Sequence, residues 1–471
     1  MRDIKIFLCI LSLCLCLAGC AGEQAGKTSE SCIAASEKDW LGKAYRYDEN
    51  GWIFLHIEGG PFERGFQRGY LTANEIERFF KTMAHIEEFE TAKDVNFFVR
   101  SAARLFKGKV SKEYVEEMRG MVAGMKRAGK EVTYDQMLFM NGFIDVTWYW
   151  WPQEKENRKD DGPGCSAFIA SGDATADGAI VMAHNSWSPY AVLQFGNIIV
   201  DVVPDKGHRI LMQSWGPCIY SATDFFITSA GLVGTETTIG GFSGFNPKGT
   251  PVFERARRAM QYANDINEWA KIMVENNSGA YANSWLIGDI NTGEIARLEL
   301  GLKYHNLEKK TNGYFAGSNV ADNIKILRVE TEATYDDIRS TAVARRVRWE
   351  QLMKEHYGKI DVGLAKKMLA DHYDAYLQKD NPSSRTICGH SELDNGSVPE
   401  SPAYTPSGAM DGKALDSAMA KNLQLWAKWG SSCDRSFDSE KFLAEHQQYK
   451  WLEGYLPDLP NQAWTIFPRQ K

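Results

Sequence analysis

Apolar residues recur at three- and four-residue spacing over 73–90, 95–106 and 112–129, which predicts three amphipathic helices. A glycine-rich entry precedes them, from Gly51-Trp52 to Gly69-Tyr70, with a short strand at Ile53 to Ile57. The aromatic run Thr147-Trp148-Tyr149-Trp150-Trp151-Pro152 closes this region, and a charged loop of the kind where chains are cut follows over 153–161. After Cys165 the pattern changes to short apolar runs between turn residues. Strands are expected at Cys165–Ala170, Ala179–His184, Gly196–Val203, Arg209–Trp215, Phe225–Ser229 and Gly231–Thr235. Helices follow at 252–263 and 266–276, then a strand pair at Trp285–Asp289 and Ile295–Leu300. The stretch from Ser340 to Trp429 reads as chiefly helical, broken by a loop rich in Pro, Ser and Gly over 381–412. Two blocks of strands with helix pairs between and after them suit antiparallel sheets covered by helices.

The first 20 residues have another character. Arg2 and Lys5 form a basic start, Ile6 to Leu15 is an apolar run too short to span a bilayer, and Leu17-Ala18-Gly19-Cys20 is a lipobox. Residues 1–20 are therefore expected to be a lipoprotein signal, with Cys20 lipidated and 21–39 a flexible tether. The body is expected at the bacterial cell envelope, lipid-anchored, in the periplasm or at the cell surface. The chain of 471 residues carries a net charge of −7, and no basic stretch is longer than a pair such as Arg345-Arg346, which argues against nucleic acid as a partner. Of nine cysteines, Cys9, Cys14 and Cys16 leave with the signal and Cys20 is taken up by lipidation, so Cys32, Cys165, Cys218, Cys388 and Cys433 remain. An odd number leaves at least one thiol unpaired within the chain. Cys165 is the candidate for it, and Cys388 with Cys433 is a candidate disulfide.

Cys165 follows Asp161-Gly162-Pro163-Gly164 and opens an apolar strand. Gly and Pro can hold the Gly164–Cys165 peptide in a tight turn, where the thiol can attack the Gly164 carbonyl. Hydrolysis of the thioester would free Cys165 as a new N-terminus. An α-amine titrates near pH ~8 and can take the thiol proton in neutral water. Polar residues embedded in the other strands supply the remaining chemistry. His184-Asn185-Ser186-Trp187 lies one hairpin beyond the cysteine, Thr235-Glu236-Thr237-Thr238 ends another strand, and Asn283-Ser284-Trp285 opens a third. Asn283 is a candidate oxyanion donor, since an amide cannot titrate. Each has a plainer reading: a small buried hydrophobe for Cys165, a satisfied strand-end histidine, a polar edge strand, a turn cap. Trp148, Tyr149, Trp150 and Trp151 either line an acyl pocket or pack between the two pieces. The sequence lacks His-Glu-x-x-His, Cys-x-x-Cys, a phosphate-binding glycine loop and Gly-x-Ser-x-Gly, and its nine histidines are scattered; neither cofactor nor metal is expected.

Several ordered stretches resemble the lysosomal phospholipase B-like proteins and the related autoproteolytic acyltransferase/hydrolase group. They are Cys165-Ser166-Ala167-Phe168-Ile169, Ala183-His184-Asn185-Ser186-Trp187, Ser221-Ala222-Thr223-Asp224-Phe225-Phe226, 231–240, Asn277–Trp285, and Tyr335-Asp336 with Arg345-Arg346. The stretch from Gly60 to Gly69 is similar to the start of the second group. The resemblance implies an α+β fold, the αββα sandwich of N-terminal-nucleophile hydrolases. It implies cleavage between Gly164 and Cys165, with 40–164 a mostly helical piece packed on a catalytic domain, 165–471. It implies hydrolysis or transfer of acyl groups held as amides or esters, on a small-molecule or lipid substrate. Cys165 is then the nucleophile, with His184, Asn185, Glu236, Thr237, Asn283 and one of Arg339, Arg345 and Arg346, Arg345 being chosen, around it. More distant relatives, the penicillin and bile-salt acylases, carry an Asp where this chain has Asn185-Ser186-Trp187. The reading from another class is an inactive envelope lipoprotein of the same fold that binds a ligand or partner.

Overall fold

The structure is a computed structural model that describes residues 36–155, 164–222, 225–399 and 402–469. The expected signal, Cys20, Cys32 and most of the charged loop before Cys165 lie outside the described residues.

A helical segment over 36–43 leads into a hairpin, β1 (Tyr45–Glu49) and β2 (Trp52–Gly59). Five helices follow: α1 (Pro61–Leu71), α2 (Ala73–Thr91), α3 (Val95–Leu105), α4 (Lys112–Arg127) and α5 (Tyr134–Asn141). The aromatic run then continues the helical path, as a wider turn over Ile144–Trp150 and a short helix at Trp151–Glu154. Next come β3 (Ser166–Gly172), β4 (Gly178–Asn185), β5 (Trp187–Pro189), β6 (Ile198–Pro204), β7 (Ile210–Ser214), β8 (Phe225–Thr228) and β9 (Leu232–Thr238). The helices α6 (Val252–Tyr262) and α7 (Ile266–Val274) lead to β10 (Asn283–Asp289), β11 (Glu294–Leu300), β12 (His305–Lys310) and β13 (Gly313–Gly317). Two more helices, α8 (Thr341–Glu355) and α9 (Val362–Leu369), precede a small pair, β14 (Tyr373–Asp374) and β15 (Lys379–Asp380). The chain ends through β16 (Ser407–Ala409), β17 (Asp411–Asp416), β18 (Leu425–Trp429) and β19 (Thr465–Phe467).

These strands build two main sheets. One runs β1-β2-β6-β7-β8-β9-β10-β11-β12 and the other β13-β3-β4-β17-β18-β19. They pack face to face: Gly288 of β10 sits where a Cβ would lie 2.9 Å from Ile169 of β3 and 3.0 Å from Ile180 of β4. The outer faces carry helices, with α6 and α7 on the larger sheet, and α8 and α9 on the smaller one. The result is an αββα sandwich, as expected.

The leading piece is part of this sandwich. β2 pairs in parallel with β6, so residues before Cys165 form one edge of the larger sheet. Position 164 is thus a boundary in the chain and not between sheets. α1 and α4 press together through two glycine pairs. A Cβ at Gly65 would strike the carbonyl of Glu117, and one at Gly69 that of Met121; Gly120 and Gly124 meet the carbonyls of Phe62 and Phe66 in the same way. This close approach lets Arg64 donate to Glu117 at 2.7 Å, while Arg257 of α6 reaches the other oxygen at 3.2 Å. All three side chains are fully buried. Arg68 donates to the carbonyls of Trp215 (2.6 Å) and Gly216 (3.0 Å), and burial lowers its pKa to about 10.

One expectation is overturned. The region from Ser340 to Trp429 is helical through α8, α9 and one short turn of helix at Ser417–Lys421; β17 and β18 lie within the smaller sheet. Both strands are buried almost throughout, and each carries a buried lysine, Lys413 and Lys428. A strand covered on both faces shows no two-residue alternation, so nothing in its pattern separates it from a buried helix.

The glycine seam gives a prediction. Gly120→Ala places a methyl against backbone, which cannot rotate away, and overpacking of this kind costs about 1–3 kcal/mol. The denaturant midpoint should fall accordingly, and an unchanged midpoint contradicts the interlocked packing.

Candidate active site

The Gly164–Cys165 peptide enters β3 against the indole of Trp187. The Gly164 N–H donates to the Trp187 carbonyl at 3.1 Å. A Cβ at position 164 would sit 2.5 Å from the indole ring, so this place admits only glycine without a shift. Gly389 presses on the same ring, where a Cβ would be 2.6 Å away. The Arg345 guanidinium lies 4.7 Å from the ring centre and donates to the Cys165 carbonyl at 2.7 Å. Its other nitrogen donates to Asn319 Oδ1 at 3.0 Å, and Asn319 Nδ2 donates to the Thr238 carbonyl at 2.6 Å. Asn319 holds φ +74°, a left-handed conformation that asparagine tolerates better than most residues. A chain of contacts thus joins the cysteine on β3 to the end of β9.

Cys165 itself is 4% exposed. Its sulfur, a ring nitrogen of His184 and a carboxylate oxygen of Glu236 all lie within 4.8 Å of one another. His184 sits between Ala167 of β3 and Lys413 of β17. Burial, reinforced by the Lys413 charge, holds its pKa well below the usual imidazole value, while the Glu236 backbone acts in the opposite direction. The ring is neutral at pH 7 and suits hydrogen bonding better than charge stabilisation. The Lys413 Nζ is paired with Asp411 Oδ1 at 2.5 Å and donates to Ser186 Oγ at 2.5 Å. Asp411 Oδ1 also accepts from the Ser186 N–H at 2.9 Å. Tyr281 donates its hydroxyl proton to Glu236 at 3.1 Å.

Asn283 opens β10, paired with Thr238 of β9. Its side-chain amide is buried, and among the described residues neither its nitrogen nor its oxygen makes a hydrogen bond. The hydroxyls of Thr237 and Thr238 are in the same condition. Buried polar groups of this kind are costly to leave unmet and are suited to receiving a bound group. A Cβ on Gly317 would strike Thr237 Oγ1, so the glycine keeps the β9 end open to β13.

Two site expectations change. Asn185 is close in sequence to His184 but is spent elsewhere: Nδ2 donates to the carbonyls of Leu369 (2.8 Å) and Ile387 (3.2 Å), and Oδ1 accepts from Ser432 at 2.6 Å. It is paired with Ser166 in register, one position off His184, and alternation sends it to the other side of the sheet. Cys388 and Cys433 are free thiols, not a disulfide. Of the three arginines, Arg345 reaches the Cys165 carbonyl, whereas Arg339 pairs with Asp337 at 2.7 Å and Arg346 with Glu350 at 2.8 Å. Trp150 and Trp151 pack on Phe97 and Phe98 of α3, with Phe97–Trp151 centres 5.1 Å apart, so they belong to the helical core of the leading piece. Sequence reading passed over Asn319, Asp411 and Lys413. Two charged residues one apart in an otherwise apolar run, Asp411-Gly412-Lys413-Ala414-Leu415, were the signal available for the last two.

Comparison with known proteins bears on this arrangement. Phospholipase B-like 1 of Bos taurus is 24% identical over 472 residues, covering 83% of this chain and 82% of the relative. An uncharacterized protein of Archaeoglobus fulgidus is 27% identical over 302 residues, 61% of this chain, and the chain spans about half (48%) of that relative's length. A conjugated bile acid hydrolase from Clostridium perfringens overlays 65% of this chain and 97% of its own at 9% identity, with a TM-score of 0.33, too loose to bear on the site. The family model described as Phospholipase B matches residues 46–300, a span that holds Cys165, His184, Glu236, Thr237 and Asn283 together with both strands of the leading piece. With more than half of its length and the centre of its candidate site inside that match, the chain belongs to the phospholipase B family.

Proposed function

We propose that this protein is a hydrolase of acyl amide or ester bonds whose nucleophile is the thiol of Cys165, released as an N-terminus by cleavage after Gly164. The observation that carries this reading is the Gly164–Cys165 junction itself, pinned by Trp187 and Arg345 with His184 and Glu236 beside the sulfur. The Cys165 sulfur attacks the Gly164 carbonyl carbon, the C–N bond breaks, and the amine leaves as the new α-amine. Water then hydrolyses the thioester, which gives a Gly164 carboxylate and restores the thiol. Arg345 keeps a cation next to the Cys165 backbone, which disfavours the protonated α-amine and so favours the base form. That base takes the thiol proton when the substrate carbonyl is attacked. The Asn283 amide receives the oxyanion, with the Thr237 hydroxyl as a second donor. His184, neutral, orients the thiol.

The leading piece stays bound after cleavage, because β2 is hydrogen-bonded to β6 and Glu117 is shared between Arg64 and Arg257. On the same proposal the substrate is an acyl lipid or a small acyl compound, and Cys20 tethers the protein to the bacterial envelope.

Mass spectrometry of the mature protein should find Cys165 as a free N-terminus, in a complex that separates into two chains only on denaturation. Cys165→Ala should remain one chain and be inactive while folding normally. An uncut wild-type chain with full activity contradicts the mechanism, and an uncut, inactive one favours the binding module instead.

Loss of one oxyanion donor typically costs about 100- to 1,000-fold in turnover. Asn283→Ala should therefore lower kcat by roughly that factor with little change in thermal stability. A mainly thermal effect would make Asn283 a packing residue.

A further inference from the structure

Beyond the catalytic cysteine, the described residues hold one more place where thiols and imidazoles converge. His372 lies in the turn after α9, Cys388 and His390 in the loop that follows β15, and Cys433 just beyond β18. One donor atom from each, four in all, lies within 4.8 Å of the other three. The Nε2 of His390 is 3.3 Å from Cys433 Sγ and 3.6 Å from Cys388 Sγ. In tetrahedral zinc, with Zn–S near 2.3 Å and Zn–N near 2.0–2.1 Å, sulfur and nitrogen ligands stand about 3.6 Å apart. The observed spacing is that of ligands around one small ion.

The surroundings fit a metal as well. His390 Nδ1 meets Glu392 Oε1 at 2.8 Å, which leaves Nε2 as the ligating nitrogen. Glu392 is itself fixed by the Tyr190 hydroxyl at 2.8 Å. The buried Nε2 of His372 makes no hydrogen bond among the described residues. Cys388 is held by its N–H to the Asp371 carbonyl at 3.1 Å, and its own carbonyl accepts from Thr386 at 2.8 Å. Cys388 and His390 are buried.

We propose that His372, Cys388, His390 and Cys433 form a structural zinc site. Four protein ligands close a tetrahedron and leave no open position for chemistry. Binding of Zn²⁺ releases two thiol protons to solvent, and the two thiolates then balance the ion's charge in a buried place. The site ties three loops together. One of them carries Gly389, which lies between two ligands and presses on Trp187, the ring that also supports Gly164. Zinc thus holds one wall of the platform under the scissile peptide. It also protects two neighbouring thiols from becoming a disulfide.

The full chain, purified without chelator, should contain about one zinc per chain by plasma mass spectrometry. Cys388→Ser and Cys433→Ser should lose it, while Cys165→Ala, which touches the other thiol cluster, should keep it. Because the serine variants risk misfolding, the wild-type protein stripped by chelation and titrated with Co²⁺ gives an independent reading. It should take up the ion stoichiometrically, with thiolate-to-cobalt charge-transfer bands and the intense visible bands of a tetrahedral site. Failure to take up Co²⁺, loss of zinc in Cys165→Ala alone, or a Cys388–Cys433 disulfide in the peptide map of metal-free protein as purified would each overturn the proposal.

Discussion

The contact between Gly164 and the indole of Trp187 is the constraint on which the site depends. It fixes where the chain enters β3, because no side chain fits at position 164 and the Gly164 N–H is already committed to the Trp187 carbonyl. Arg345 sits over the same ring and holds the next carbonyl, so the peptide before and after the candidate scissile bond is gripped from two directions. Trp187 is in turn placed by β5, which pairs with β16, and by its Nε1–H bond to Ser407 at 3.1 Å. The placing of the Gly164–Cys165 peptide thus comes from packing around one aromatic ring, and little of it from the flexibility of glycine.

The proposed cleavage adds a second requirement, that the cut chain stay whole. Here the material before Cys165 is woven into the larger sheet and bolted to α6 through a buried carboxylate between two arginines. Buried ion networks of this sort are weak sources of net stability, yet breaking one partner is expensive because it strands the others. That makes Glu117 a residue of specificity. It holds α1, α4 and α6 in one arrangement, and the glycine seam between α1 and α4 is what allows Arg64 to reach it.

Much of the fold was legible in the sequence. Three helices of the leading piece, α2, α3 and α4, and the strands around Cys165 have edges close to those expected, because half-exposed helices keep a 3.6-residue stripe and strands bounded by Gly and Asp declare their ends, whereas α1, whose glycines serve its packing on α4, reads in sequence as a glycine-rich entry. Cys165, His184, Glu236 and Asn283 each stood out as a polar or reactive residue in an apolar run. What stayed hidden depends on contacts between distant segments. Lys413 and Asp411 form a buried pair beside His184 from a strand that carries no alternation, and Asn319 links Arg345 to Thr238 from a loop. Asn185 was misplaced for a local reason: period-two alternation turns it away from its neighbour His184. The four residues His372, Cys388, His390 and Cys433 lack regular metal-ligand spacing, and only folding brings them together.

On the function proposed, the Cys165 thiol, on a free N-terminus, carries the acyl group during turnover. The most direct test is to quench the enzyme in acid during turnover of an acyl ester or amide and map the adduct by mass spectrometry. A thioester is expected on the sulfur of Cys165, in the piece that begins with that residue and with its α-amine unmodified. An acyl group on any other side chain, or a substrate-derived adduct on an uncleaved chain, would contradict it.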